Sequence, residues 1–164
     1  DKKIDKIIIT RPTIEASPKG NGFLPGDLMD KMAPYLIPLF ELIKEYIGKE
    51  KLEYLIKNEI IEIAPFEYMR GRNISDRTYL IADECQNCTM EQLKMVMTRL
   101  CDGAKIFILG DTDQTDLNYT RFKSGLQECV EKLEDRVDGV GVCCMDKSDI
   151  QRNPIIGQIL EVLK

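Results

Sequence analysis

The chain has 164 residues, 43% of them hydrophobic, and its 23 basic and 28 acidic side chains leave a net charge of −5. That balance excludes a protein held to nucleic acid by bulk charge alone, and the spread of apolar residues suits one globular domain over residues 1–164 rather than a disordered or fibrous polymer. Histidine is absent, which removes the commonest general base and metal ligand and every Ser-His or Cys-His nucleophile pair, so any catalysis must run on carboxylates, arginine, lysine or a bound metal.

In chain order, residues 6–10 predict a first strand that ends at Thr10-Arg11. Its apolar run is nearly continuous rather than alternating, the mark of a strand buried on both faces in a parallel sheet. Residues 16–27 carry five Gly and Pro residues and predict a mobile loop. Pro34 and Pro38 interrupt the apolar pattern of 27–47, so the stretch 20–58 predicts two or three short helices. A second strand follows at 60–64, and a third at 78–83 closes on Asp83-Glu84. Thr89 and Gln92 form a capping box for a helix carrying Leu93, Val96, Met97 and Leu100, which stops at Asp102-Gly103. The fourth strand, 105–109, runs into Gly110-Asp111-Thr112-Asp113-Gln114. Ser124 and Gln127 repeat the capping device for a helix with Leu126, Val130, Leu133 and Val137 on one stripe, ending near Asp138-Gly139. A fifth strand is predicted at 140–144, and a last helix opens at Asn153-Pro154 with Ile155, Ile156, Ile159, Leu160 and Leu163 to pack. Strands alternating with helices predict an α/β layered fold. No apolar run approaches the roughly 18 to 20 residues of a membrane span. The six cysteines sit inside strand-like and helix-like patterns, which reads as reduced thiols in a cytoplasmic protein with no membrane partner.

In an open parallel sheet the strand C-termini share one rim, where ligands bind. Arg11, residues 68–72, Asp83-Glu84, residues 111–116 and residues 146–152 all follow strands and so converge there. Asp83 at a strand end can hold the water shell of Mg²⁺, and Glu84 one step later can polarise an attacking water; a solvated acidic pair is the plainer alternative. The amide of Gln114 can donate to a phosphate oxygen or merely close a polar turn. Asp111, Asp113 and Thr115 match the start of a calcium loop, but Asp116 stands where that loop needs Gly and Phe122 where it needs Glu. Arg11, Arg70 and Arg72 are candidates for phosphate contact, with ion pairing as the alternative. Cys85-Gln86-Asn87-Cys88 has zinc-like spacing, yet no second pair or histidine completes a site. Nowhere does the sequence contain GxxxxGK[ST], the phosphate-binding loop that goes with a strand-end acid of this kind.

Taken in order, Ile9-Thr10-Arg11-Pro12, Gly22-Phe23-Leu24-Pro25-Gly26-Asp27, Ile63-Ala64-Pro65, Tyr68-Met69-Arg70-Gly71-Arg72, Asp83-Glu84-Cys85-Gln86-Asn87, Gly110-Asp111 with Gln114, Lys123-Ser124-Gly125-Leu126, and Ser148-Asp149 with Arg152 resemble the PhoH-like ATPases, relatives of the superfamily-one helicases. The resemblance covers nearly the whole chain. It implies an α/β, RecA-like P-loop NTPase core, a parallel sheet with helices on both faces, here without its first strand and phosphate-binding loop. It implies that Asp83 binds Mg²⁺ through water as the Walker B aspartate, that Glu84 is the catalytic carboxylate, and that Gln86, Asp111 and Gln114 attend the nucleotide phosphates. Arg152 sits where the family has an arginine that reaches a neighbouring subunit in a homo-oligomeric ring, a hexamer. Thr10, Arg11, Arg70 and Arg72 would contact single-stranded RNA or DNA. Two positions depart from the pattern, Cys85 for a usual Ala and Asn153 for a frequent His. In the family the strand of the missing loop lies beside the fourth and fifth strands, so the expectation is a portion of a longer protein that hydrolyses ATP with Mg²⁺ and couples it to single-stranded nucleic acid. The alternative is a degenerate, non-catalytic core serving as a nucleic-acid-binding or assembly module.

Overall fold

The computed structural model describes residues 4–12, 28–112, 114, 124–146, 149, 153 and 155–162. They belong to two compact units, Asp1–Cys129 and Val130–Lys164.

The first unit is built on β1 (Lys6–Arg11), β2 (Ile61–Pro65), β3 (Thr78–Ala82) and β4 (Lys105–Ile108), a four-stranded sheet in the order β2-β1-β3-β4. Every pairing is parallel. The register sets Ile9 opposite Ile63 and Ile81, and Thr10 opposite Ala64 and Ala82. Because side chains alternate across a strand, Ile7, Ile9, Ile61, Tyr79 and Phe107 share one face while Ile8, Thr10, Ala64, Leu80 and Ala82 share the other. On the first face α1 (Leu28–Ile47) and α2 (Lys49–Lys57) supply Leu39, Phe40, Ile43, Ile47, Leu52 and Leu55 to a core with Ile7, Ile9 and Ile61. On the second face Ile8, Leu80 and Ala82 are buried, and α3 (Met90–Met97), which joins β3 to β4, buries Leu93 and Val96. The step from β1 to β2 runs one way along the sheet and that from β3 to β4 the other. Right-handed crossovers in opposite directions put α1 and α2 on one face and α3 on the other. This is the α/β architecture of a RecA-like core.

Where the chain departs from its local pattern, the causes are tertiary. Residues 28–47 form one helix of 20 residues straight through Pro34 and Pro38, not a series of short ones. The prolines lie one turn apart, so the amide bonds lost are those to the carbonyls of Asp30 and Pro34, while burial of Leu36, Leu39, Phe40 and Ile43 holds the helix against the sheet. Its break comes instead at Gly48, whose φ of 81° turns the chain into α2. The capping box of α3 forms as read: Thr89 Oγ1 accepts from the Gln92 amide, and Gln92 Oε1 accepts from the Thr89 amide. That helix ends before Leu100, which makes a parallel bridge with Ile74. The second predicted box is displaced by two residues. The helix α4 (Leu126–Leu133) starts two residues after Ser124, whose Oγ accepts from the Leu126 amide at 3.4 Å, and the Gly125 amide is drawn to the Cys88 carbonyl at 2.7 Å. A side chain at position 125 would drive its Cβ into the backbone of Thr89 and Met90.

In the second unit, residues 140–144 are not a strand. They make no strand pairing among the described residues, the Val140 amide turning back to the Val137 carbonyl at 3.1 Å, and an extended run becomes a strand only when a neighbour takes up its amides and carbonyls. Residues 155–162 form α5 (Ile155–Val162), and Asn153 caps it, its Oδ1 accepting from the Ile155 amide at 3.1 Å and its carbonyl from the Ile156 amide at 2.9 Å. Pro154, Leu163 and the predicted loop 16–27 fall outside the described residues. No helix among the described residues is long and apolar enough to cross a membrane.

Candidate functional site

β1 and β3 are neighbours whose onward connections leave in opposite directions, so a crevice opens between their C-terminal ends, the usual ligand position in a doubly wound sheet. The backbone there is tied on both sides. The Asp83 amide donates to the Thr10 carbonyl at 3.0 Å, the Leu109 amide to the Ala82 carbonyl at 2.8 Å, and the Cys85 amide to the Leu109 carbonyl at 2.8 Å. The ladder thus runs past β3 on both edges and fixes Asp83 and Glu84 at the rim.

Glu84 is left-handed, with φ 56° and ψ 35°, a conformation that costs a non-glycine residue about 1 kcal/mol or more. The turn swings the chain out of the sheet into the 3-10 turn Cys85–Asn87 and leaves the carboxylate over the crevice. Both of its oxygens are engaged. Oε1 lies 2.7 Å from the Arg11 guanidinium, and Oε2 accepts from Gln86 Nε2 at 2.8 Å. Gln86 is 3% exposed, and its Oε1 accepts from the Asp111 amide at 3.3 Å. Asp111 Oδ2 in turn accepts from Gln114 Nε2 at 2.6 Å. Arg11, Glu84, Gln86, Asp111 and Gln114 therefore form one hydrogen-bonded chain across the ends of β1, β3 and β4. Gly110 makes the join possible, since a Cβ there would stand 2.7 Å from Gln86 Oε1 and 2.8 Å from its backbone nitrogen.

Half-buried Asp83 begins this turn. Mg²⁺ keeps several of its waters and takes one or two carboxylates together with substrate phosphates, so Asp83 fits a metal held through water. No group of three or more metal-ligating side chains occurs among the described residues. The other half of a nucleotide site, a phosphate-binding loop, is not in this sequence.

The remaining candidates separate. Thr10 has no exposed surface, it lies on the sheet's second face, and its Oγ1 finds no partner among the described residues. Arg72 is clamped on Glu62, with Nη1 and Nη2 at 2.5 and 3.0 Å from the two carboxylate oxygens, and Lys6 adds a contact to Glu62 at 2.6 Å. The Arg72 guanidinium, helped by Lys6 and opposed by burial, holds the Glu62 carboxyl at about 2, well below the usual carboxylate range. Arg70, which follows the 3-10 turn after β2, is exposed, and Tyr68 within that turn is 58% exposed. Arg152 lies outside the described residues. Cys85 and Cys88 are free and buried, and the proximity of Cys88 together with burial pushes the Cys85 thiol up. Sequence reasoning missed Glu62 and the partnership of Arg11 with Glu84. The polar side chain at position 62 within an otherwise apolar strand was the available signal for Glu62.

A family profile described as PhoH-like protein matches residues 1–164. A PhoH-like protein of Synechocystis sp. is 46% identical over 162 residues, covering 98% of this chain and 48% of that protein. A PhoH-like protein of Bacillus subtilis is 46% identical over 158 residues, covering 96% and 48% respectively. Protein PhoH of Escherichia coli K12 is 38% identical over 161 residues, covering 97% and 44%. The chain thus spans about half the length of the curated relatives it matches.

Proposed function

Since this chain belongs to the PhoH-like family, we propose that it is the metal-holding and water-activating portion of an Mg-dependent ATPase coupled to single-stranded nucleic acid. The observation that supports this reading above all others is the hydrogen-bonded chain from Arg11 through Glu84, Gln86 and Asp111 to Gln114 beside Asp83, at the crevice where a doubly wound sheet takes its ligand.

In this reading Asp83 holds Mg²⁺ through water, and the bound metal neutralises charge developing on the transferred phosphate. Glu84 orients the attacking water and accepts its proton. Gln86 fixes the Glu84 carboxylate and ties it to the end of β4, so that Asp111 and Gln114 are held in register with it. Gln114 and Arg152 donate to phosphate oxygens, Arg152 across a subunit boundary in a hexameric ring. The phosphate cradle and its lysine come from a part of the protein outside these residues, so the 164-residue chain alone binds ATP weakly. Exposed Arg70 contacts the strand, RNA or DNA, in a cytoplasmic protein. Arg72 is committed to Glu62.

The test is Mg-ATP hydrolysis by the full-length native protein, wild type beside Glu84→Gln, with and without single-stranded RNA. Loss of the proton acceptor should lower turnover by about 10²-fold or more without weakening nucleotide binding. Equal turnover by the two proteins sinks the assignment of Glu84. Silence of both under every condition would leave the chain as a nucleic-acid-binding or assembly module.

A further inference from the structure

The two contacts on Glu84 differ in kind. Gln86 is 3% exposed, its backbone nitrogen lies under Gly110, and its amide is spent at both ends, on Glu84 and on the Asp111 amide. It has no room to leave. Arg11 is the last residue of β1, at the open rim, and the ion pair it makes is half-exposed, with 24% of the arginine side chain and 35% of the glutamate side chain accessible. With one contact on each oxygen the carboxylate keeps one lone pair on Oε1 and one on Oε2, so at Oε1 a water has half the approach directions it would have once Arg11 lets go. A guanidinium that holds a carboxylate oxygen at such a rim through Nη2 can exchange that contact for a bidentate pair of N–H donations to a phosphate oxyanion.

We propose that the Arg11–Glu84 ion pair is a latch, opened when a phosphate oxyanion in the crevice draws the Arg11 guanidinium off Oε1 and frees Glu84 to hold the attacking water. The inference rests on the reading of Glu84 as the catalytic carboxylate and makes Arg11 a positioning residue. It explains why an arginine on β1 and an acid on β3, far apart in sequence, are brought to 2.7 Å at the switch point of the sheet. A phosphate can come from two sources here, a nucleic-acid phosphodiester or the terminal phosphate of a nucleotide. The first would make the latch a coupling device between strand binding and hydrolysis, the second a check that nucleotide is in place.

A latch is a competition, so removing Glu84 should strengthen the grip of Arg11 on its other partner. The experiment uses the full-length native protein as wild type, Glu84→Gln, Arg11→Ala and the double variant. Dissociation constants are measured for a single-stranded oligoribonucleotide without nucleotide, and for Mg-ATP without RNA. Glu84→Gln should tighten one of the two ligands about three- to tenfold, the fraction of time the latch is closed setting the factor, and this gain should vanish in the Arg11→Ala background. Tightening of RNA names the phosphodiester as the opener; tightening of ATP names the nucleotide. A gain of equal size with and without Arg11 is simple loss of negative charge and overturns the latch, as does the absence of any gain in both arms. Glu84→Ala repeats the cycle should Glu84→Gln retain the contact, and Arg11→Lys should restore the wild-type pattern in part. In turnover, Arg11→Ala should raise the unstimulated rate and bring the ratio of ligand-stimulated to unstimulated rate toward one; equal loss of both rates with the ratio kept overturns the proposal. The affinity cycle is read without hydrolysis, so a failed latch and a failed ATPase assignment give different results.

Discussion

Glu62 shows how much one residue can depend on partners that its neighbours in sequence do not reveal. It lies within β2, receives Arg72 and Lys6 on its two oxygens, and is held at about 2 against an ordinary 4.5. A carboxyl with a depressed folded-state pKa contributes stability that is fully present above its unfolded value and is lost as the pH falls through its folded value. The window here runs from about 4.5 down to about 2. The full shift corresponds to an upper bound of about 3 kcal/mol, and with a quarter of the side chain exposed screening reduces this to about 1–2 kcal/mol. Arg72→Ala should therefore cost about 1–2 kcal/mol at pH 7, and much less at pH 3, in urea melts of this chain. A loss that stays constant across that range would mean that packing, not charge, carries the effect. The same residue separates two arginines that the sequence treats alike: Arg72 is occupied by Glu62 and Arg70 is exposed. Asp83, Glu84 and Gln114 were legible because each follows a readable strand. That Arg11 would face Glu84 was not, since a sequence does not say which strand end lies beside which.

Elements obey the sequence where their determinants are local. Thr89 and Gln92 cap α3 reciprocally because everything the box needs lies within four consecutive residues. Ser124 and Gln127 have the same spacing, but the helix starts at Leu126 and the Ser124 hydroxyl accepts from the Leu126 amide. Helix α1 is the opposite case, a local rule overridden. Its prolines should break it, and burial of its apolar face keeps it continuous. Pro38 is exposed, so its ring contributes little packing, and the amide regained by Pro38→Ala could bond the carbonyl one turn before. That substitution should stabilise the chain by about 1–3 kcal/mol in denaturant melts. Destabilisation would mean that the helix needs a bend at this point to follow the sheet.

At the scale of the whole molecule, β4 is the last strand of the sheet among the described residues of the first unit. In an all-parallel sheet both faces are normally covered, yet Phe107 is 43% and Leu109 48% exposed, with the Tyr79 ring 5.4 Å from that of Phe107. An unpaired parallel edge with apolar residues is a template for association. The 164-residue chain by itself should bind a hydrophobic dye and scatter light increasingly with concentration, and Phe107→Lys should reduce both. A clear monomer without dye binding would show that residues outside the described set cover this edge. The sequence by itself determined the strand cores, the α3 cap, the rim position of Asp83 and Glu84, and the family, because each is written in runs of neighbouring residues. Only the tertiary structure decided that residues 140–144 make no strand pairing among the described residues, that α1 survives its prolines, that Thr10 is buried, and that Arg11 closes on Glu84. These outcomes depend on which backbone lies alongside, what area can be buried and which charge stands opposite, and those are properties of neighbours in space.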